Sequence, residues 1–274
     1  MSCTSVDFAY LRSIVLEESA NVLDESRDYL FQSRLQNLLM SSGLMTLDRL
    51  VAALRLRLDP GLGCRVAEAM TIKETSFFRD RSPFELLQQE LLPGIIRRRE
   101  SVRRLRLWSA ACASGQEPYS LAMLLREQFP QLSEWDVEII GTDISHEMIH
   151  RARAGRYAKR EVSRGLPSRY RIRYTRQLGD EWEMSPDVKT LCRFFQSNLC
   201  DGPSPLEKFD GILLRNVMLY FPDEARKQLL LQVHRILQPD GFLILGSGEQ
   251  PALPELFHAE LKGSVCYYRR LAED

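Results

Sequence analysis

Several common signatures are missing from this chain. None of its six cysteines (Cys3, Cys64, Cys112, Cys192, Cys200 and Cys266) forms a Cys-x-x-Cys pair, so neither a zinc site nor a disulfide framework is indicated. Unpaired, scattered thiols suit a reducing compartment. No apolar run approaches the ~20 residues that a membrane helix needs, and the first residues show no basic-then-apolar leader. The expectation is a soluble, cytoplasmic protein without a metal. Net charge is missing too. The 37 basic residues balance 37 acidic ones, so no global field draws the chain to nucleic acid or membrane. There are no internal repeats and no low-complexity segments. Histidine is sparse: His146, His150, His234 and His258 lie outside every pocket motif and read as surface or structural groups.

Hydrophobic residues make up 44% of 274, enough to bury the core of one large domain or two unequal ones. Residues up to about Met70 read as helices only. Tyr29, Leu30, Leu35, Leu38 and Leu39 share a helical stripe, and Thr46 can cap a helix whose stripe is Leu47, Leu50, Val51 and Leu54. Asp59-Pro-Gly-Leu-Gly63 breaks it. Ser82-Pro-Phe-Glu85 reads as a capping box opening another helix.

From Leu105 strands and helices alternate, which argues for a parallel sheet covered on both faces. The strands are Leu105–Ser109, Val137–Thr142, Arg193–Gln196, Phe209–Leu214, Phe242–Leu245 and Val265–Arg270. Helices run from about Pro118 to Phe129, from Ser145 to near Gly155, and from Asp223 to Leu237. Gln238-Pro-Asp-Gly241 reads as a turn. The polar, Arg- and Tyr-rich interval from Arg164 to about Phe195 breaks the rhythm. Its short alternating pieces, Tyr170–Tyr174 and Glu181–Met184, read as a small antiparallel insertion.

Strand Leu105–Ser109 runs into a turn of small residues, Ala110, Ala111, Ala113 and Gly115, which lets a ligand approach the backbone closely. The turn is not the dinucleotide fingerprint G-x-G-x-x-G. A pyrophosphate wants a bare helix N-terminus, but here that end carries Glu117. A carboxylate suits a ligand ammonium, so an amino-acid-bearing nucleoside fits better than NAD; otherwise Glu117 is simply a favourable first-turn acid. Asp143 follows the second strand, where an acid accepts ribose hydroxyls or starts an Asx turn. Asn198-Leu199 follows the third, near where an adenine would lie, or serves as a loop cap. Arg215-Asn216 closes the apolar strand Phe209–Leu214. Buried polar groups there need partners, either a ligand or a structural network. Tyr220 lies just beyond, able to place its hydroxyl over a reacting centre.

These segments resemble the chemotaxis-receptor glutamate methyltransferases of the CheR type. The resemblance runs from the N-terminal helices to Tyr267-Tyr-Arg-Arg270. It rests on Thr75-Ser-Phe-Phe-Arg79, Trp108-Ser-Ala-Ala-Cys-Ala-Ser-Gly-Gln-Glu-Pro-Tyr-Ser120, Thr142-Asp-Ile-Ser145 and Arg215-Asn-Val-Met-Leu-Tyr-Phe221. The second and fourth are highly specific. The resemblance implies an α/β fold with a Rossmann-like, class I S-adenosylmethionine-dependent methyltransferase sheet. It also implies an all-helical domain over 1–70, a linker at 71–82 contributing to the cofactor site, and a catalytic domain over 83–274 with a β insertion at about 164–195.

Carried over by position, the family's cofactor contacts fall on Thr75, Arg79, Glu117, Asp143, Asn198, Leu199, Asn216 and Val217. One more, often an Asn in the family, falls on Lys73. Arg79 and Tyr220 take catalytic roles. The implied reaction methylates receptor glutamates, leaves S-adenosylhomocysteine and uses no metal. The implied partners are cytoplasmic helices of methyl-accepting receptors, so a monomer would meet the membrane only through the receptor. Two rival readings stand beside this one. Nucleic-acid methylation draws on two basic clusters, Arg97–Arg106 and Arg164–Arg176, but Arg-Asn-Val-Met-Leu-Tyr occupies the place of an Asn/Asp-Pro-Pro-Tyr segment. The other rival is a non-catalytic cofactor sensor.

Overall fold

The computed structural model describes residues 4–202 and 208–272. Cys3, and the expected domain ends at Met1 and Asp274, lie outside them. The chain divides into two compact units, Met1–Ile72 with Tyr220–Arg226, and Lys73–Leu219 with Lys227–Asp274.

The first unit is helical: α1 (Ser5–Ser19), α2 (Tyr29–Arg34), α3 (Gln36–Ser41), α4 (Leu47–Arg55) and α5 (Leu62–Met70). Thr4 opens α1 with a reciprocal capping box, its side chain bonded by the Asp7 amide and its own amide by the Asp7 carboxylate. Thr46 occupies the N-cap of α4. Leu11, Val15, Phe31, Leu35, Leu39, Leu50, Val51, Leu54, Leu62, Val66 and Met70 form the core. The stripe expected from Tyr29 to Leu39 is interrupted. The helix breaks at Leu35, the phase resets there, and Tyr29 is left 68% exposed.

The second unit opens on α6 (Ser82–Leu86), a π-helical turn (Leu87–Leu91) and α7 (Leu92–Arg99). Ser82 is not the cap that the sequence suggests. Arg81 takes the N-cap at a φ of 44°, and no side chain among the described residues caps the helix. Asp80 and Arg81 both have positive φ, so the chain turns tightly before the helix and shifts its start by one residue. Pro93, lacking an N–H, lies just past the π turn, the usual cause of such a distortion.

The strands are β1 (Arg104–Ala110), β2 (Asp136–Asp143), β3 (Arg156–Ala158), β4 (Thr175–Leu178), β5 (Glu181–Met184), β6 (Cys192–Gln196), β7 (Phe209–Leu214), β8 (Leu237–Leu245), β9 (Phe257–Lys262) and β10 (Val265–Arg270). Their companion helices are α8 (Gln116–Gln128), α9 (His146–Ala154), α10 (Lys159–Ser163), α11 (Ser168–Tyr174), α12 (Pro186–Lys189) and α13 (Asp223–Ile236). Seven strands form one sheet in the order β6-β2-β1-β7-β8-β10-β9. The first five are parallel, while β10 and β9 run antiparallel. β1 connects to β2 on one side and lies beside β7 on the other, so the strand order reverses there and a crevice opens at the carboxyl ends. The class I methyltransferase sheet expected from the resemblance is thus present.

Three expectations need correcting. The β insertion starts earlier than Arg164, because Arg156–Ala158 pairs with β5 in a separate sheet ordered β3-β5-β4. Tyr170–Tyr174 is helical, not a strand. Tyr170 and Tyr174 are both buried while Ile172 between them is 77% exposed, a spacing that suits period 3.6 and not period 2. The expected turn Gln238–Gly241 lies inside β8. Phe209 pairs with Leu237 and Gly211 with Phe242, so a step of two residues on β7 meets a step of five on β8. The backbone expelled from the ladder is held by Arg269, whose guanidinium donates to the Asp240 and Gly241 carbonyls at 3.1 Å each.

Candidate active site

The crevice wall is built where β1 ends. Ala111, Ala113 and Gly115 all have positive φ (55°, 47° and 84°). Positive φ is strained for L-residues such as Ala111 and Ala113, and such strain concentrates at functional sites. Further non-glycine residues with positive φ, Phe78, Asp80, Arg81 and Asn216, occur on the segments that meet this turn. Asp143, at the end of β2, holds the turn in shape. Its Oδ2 accepts the Ala113 amide at 2.8 Å and its Oδ1 accepts the Ser145 amide at 2.9 Å. The Asx turn is therefore real, and the same carboxylate also bridges two strand ends.

Glu117, in the first turn of α8, is nearly buried. Its Oε1 accepts the Ser109 hydroxyl at 2.8 Å and its Oε2 accepts Arg215 at 2.7 Å. Arg215 also donates to the Asp80 carboxylate at 2.7 Å and to the Arg79 carbonyl at 3.1 Å. Arg215 is thus tied into a structural network through its terminal nitrogens, while its buried Nε has no partner among the described residues, and Glu117 is not a free carboxylate waiting for a ligand ammonium. Asp80 and Glu117 share the one buried guanidinium of Arg215, and Asp143 is held by backbone amides, so the acids of this wall outnumber that cation and leave it electronegative. The Cys112 thiol in the turn responds: burial, then the fields of Asp143 and Glu117, push its pKa well above the usual value.

The segment Thr75–Arg79 is pinned to this wall. The Phe78 amide donates to Ser120 on α8 at 2.9 Å. Phe77 packs edge-on against Tyr157 and Phe78 stacks on Tyr170, so the two phenylalanines are core and leave Arg79 half-buried at the surface. Thr75 is half-buried beside them in sequence. Lys73 pairs with Glu147 in the first turn of α9 at 2.9 Å. At the end of β6, Ser197 bonds the Asp143 carbonyl at 3.0 Å, Asn198 accepts the Cys200 amide as a cap at 3.1 Å, and Leu199 is buried. At the end of β7, Asn216 and Val217 are half-buried.

All nine residues expected to touch the cofactor therefore belong to the second unit. Tyr220 groups with the first, where its carbonyl accepts the Val22 amide at 2.8 Å. Two contributors went unnoticed in the sequence. Asp80 carried no signal of its own. Glu249 did: like Asp143, it is an acid just past a strand, in Gly246-Ser-Gly-Glu249.

Elsewhere, the basic clusters are laced with carboxylates. Arg99 pairs with Asp210, Arg106 with Glu138, Arg173 with Glu127, and Arg176 with Glu183. His146, His150 and His258 are exposed, and the buried His234 ring lies 3.0 Å from the Leu271 carbonyl. Among the described residues no helix is long and apolar enough to cross a membrane, and no cluster of metal-ligating side chains occurs.

Comparison with known proteins places residues 73–261 on the family model described as CheR methyltransferase, SAM binding domain. The chain is 37% identical over 254 residues to "Chemotaxis protein methyltransferase Cher2" of Pseudomonas putida, covering 91% of this chain and 92% of that one. It is 38% identical over 254 residues to "Chemotaxis protein methyltransferase 1" of Pseudomonas aeruginosa, with the same coverage. With "Chemotaxis protein methyltransferase" of Vibrio parahaemolyticus the identity is 38% over 232 residues, 83% of each chain. A solved TehB-like SAM-dependent methyltransferase from Corynebacterium glutamicum aligns over 70% of this chain and 100% of its own, at 16% identity and a TM-score of 0.39.

Proposed function

This chain belongs to the CheR methyltransferase family, and from that premise we propose that it is a cytoplasmic, monomeric protein-glutamate O-methyltransferase acting on the cytoplasmic helices of chemotaxis receptors. The observation that carries the reading is the electronegative, strained turn at the end of β1, with Glu117 and Asp143 converging on it. Such a wall suits a cationic, amino-acid-bearing nucleoside and opposes a pyrophosphate. S-adenosylmethionine, when bound, supplies a methyl group on a positively charged sulfonium and leaves as S-adenosylhomocysteine.

The residues then divide the work. Asp143 accepts the ribose hydroxyls at the end of β2. Glu117 balances the ligand's positive end, sharing its charge with Arg215. Asn198 and Leu199 flank the adenine, while Lys73, Thr75, Asn216 and Val217 complete the contacts. A glutamate nucleophile is already ionised at neutral pH, so no strong base is needed, in keeping with histidines that lie outside the crevice. Arg79 orients the incoming carboxylate, since its guanidinium can bind both oxygens. Tyr220 supplies a hydrogen bond near the reacting atoms. The product is a γ-glutamyl methyl ester.

The test is incubation with radiolabelled S-adenosylmethionine and receptor-bearing membranes, followed by release of methanol in base. Label that resists base, or none at all despite tight cofactor binding, would favour another substrate or a sensor. Arg79→Ala should reduce transfer about 100-fold, the effect of misplacing a reactant by about 1 Å; transfer near the wild-type rate would remove Arg79 from its role. Asp143→Asn should weaken cofactor binding by about 1.5–3 kcal/mol, the value of a hydrogen bond to a charged group. Unchanged affinity by calorimetry would exclude Asp143 from the site.

A further inference from the structure

The Glu249 carboxylate, 7% exposed, sits between the loops that leave β7 and β8. It accepts four backbone amides. Oε2 takes Asn216 at 2.7 Å and Gly246 at 2.8 Å, while Oε1 takes Val217 at 2.9 Å and Leu219 at 3.3 Å. Converging N–H groups of this kind form a concave anion nest, and here the anion is the protein's own. Only a glycine fits at 246: a Cβ there would stand 2.6 Å from Glu249 Oε2 and 2.9 Å from the Asn216 amide nitrogen.

Three of the four amides belong to the loop after β7. That loop holds Asn216 at a φ of 59°, a conformation that non-glycine residues avoid unless their surroundings impose it. β7 and β8 are parallel neighbours, so both loops emerge at the carboxyl ends of the strands, where the crevice lies.

We infer that Glu249 is a positioning residue for the transfer. Its carboxylate fixes the backbone of Asn216–Leu219, and so preorganises the crevice at Asn216 and Val217 before the methyl donor arrives. It touches no reacting atom. The inference rests on the cofactor reading proposed above. The charge matters as well as the shape, because a carboxamide has one acceptor oxygen and would turn an NH2 group toward amides that already donate.

The experiment compares wild type with Glu249→Gln in the full chain, using backbone hydrogen exchange and calorimetric titration of S-adenosylhomocysteine. In the variant, the amides of Asn216, Val217 and Leu219 should exchange at least 10-fold faster while β7 keeps its protection. The dissociation constant should rise at least 10-fold. Faster exchange with unchanged affinity would reduce Glu249 to a structural cap and overturn the inference, as would unchanged exchange. Should Glu249→Gln fail to fold, Glu249→Asp keeps the charge on a shorter arm. Exchange and affinity must then shift together, in the same direction and by less than 10-fold each; movement of one alone overturns the inference. A wild type that does not bind S-adenosylhomocysteine refutes the cofactor reading itself, and this inference with it. A wild type that binds, beside a Glu249→Gln variant that binds equally well, refutes this inference alone.

Discussion

Replacing Arg215 with alanine is expected to destabilise the second unit by about 3–5 kcal/mol, the cost of breaking a buried ion pair from one side. The Arg215 side chain is 2% exposed and its partner Glu117 11%, so truncation leaves a carboxylate in a poorly solvated wall. The bond to Asp80 adds little, since that side chain is 45% exposed and water competes for it. The prediction has an internal control. Combining Arg215→Met with Glu117→Met removes both charges and should recover most of the loss, because apolar replacements of a whole buried pair are often near neutral. Urea denaturation followed by tryptophan fluorescence reads the right unit, as Trp108, Trp135 and Trp182 all lie within it. A single variant costing under about 1 kcal/mol would show that the network is not a structural strut.

Gly115→Val should be nearly as severe. Gly115 sits at a φ of 84°, and a Cβ there would lie 2.8 Å from the Ala152 Cβ and 3.1 Å from the Phe194 ring. A left-handed non-glycine residue costs about 1–3 kcal/mol, and overpacking adds about 1–3 kcal/mol. The chain can relieve the clash only by lifting the turn away from α9 and β6, which carries Ala113 away from Asp143. Affinity for S-adenosylhomocysteine is therefore expected to fall at least 100-fold, about 2.7 kcal/mol. Gly179→Ala separates strain from collision, since Gly179 also has positive φ but nothing within 4 Å of its added Cβ. It should cost about 1–2 kcal/mol and leave binding intact. Wild-type melting and affinity in Gly115→Val would mean that the turn does not shape the crevice.

The parts of the fold that were legible are those whose signal is local. β7 announces itself by a nearly apolar run of strand length, and β1 by alternation of Arg and apolar residues. Ser145 and Gly155 bracket α9 as N-cap and left-handed C-cap, and the run of small residues after β1 marks a close turn. Tyr170–Tyr174 fits two periods because its five residues alternate in polarity, and only the exposure of Ile172 between two buried tyrosines decides for the helix. Gln238–Gly241 was misread because Pro-Asp-Gly signals a turn wherever it occurs, including inside a strand that bulges around it.

The candidate site shows the same division. Glu117, Asp143, Arg215 and Asn216 were identifiable from the sequence because each is a polar group at a strand or helix end, where an open α/β sheet places its ligand. Their partners were not. Arg215 is 98 residues from Glu117 and 135 from Asp80, and Glu249 is 33 residues from Asn216. A chain by itself determines which elements form and which chemical groups stand at their ends, because periodicity, capping and turn propensity act over a few residues. Only the order of the strands determines which of those ends meet. That order turned Glu117 from a waiting carboxylate into one arm of a buried ion pair, and an unremarked glutamate after β8 into the anion of an amide nest.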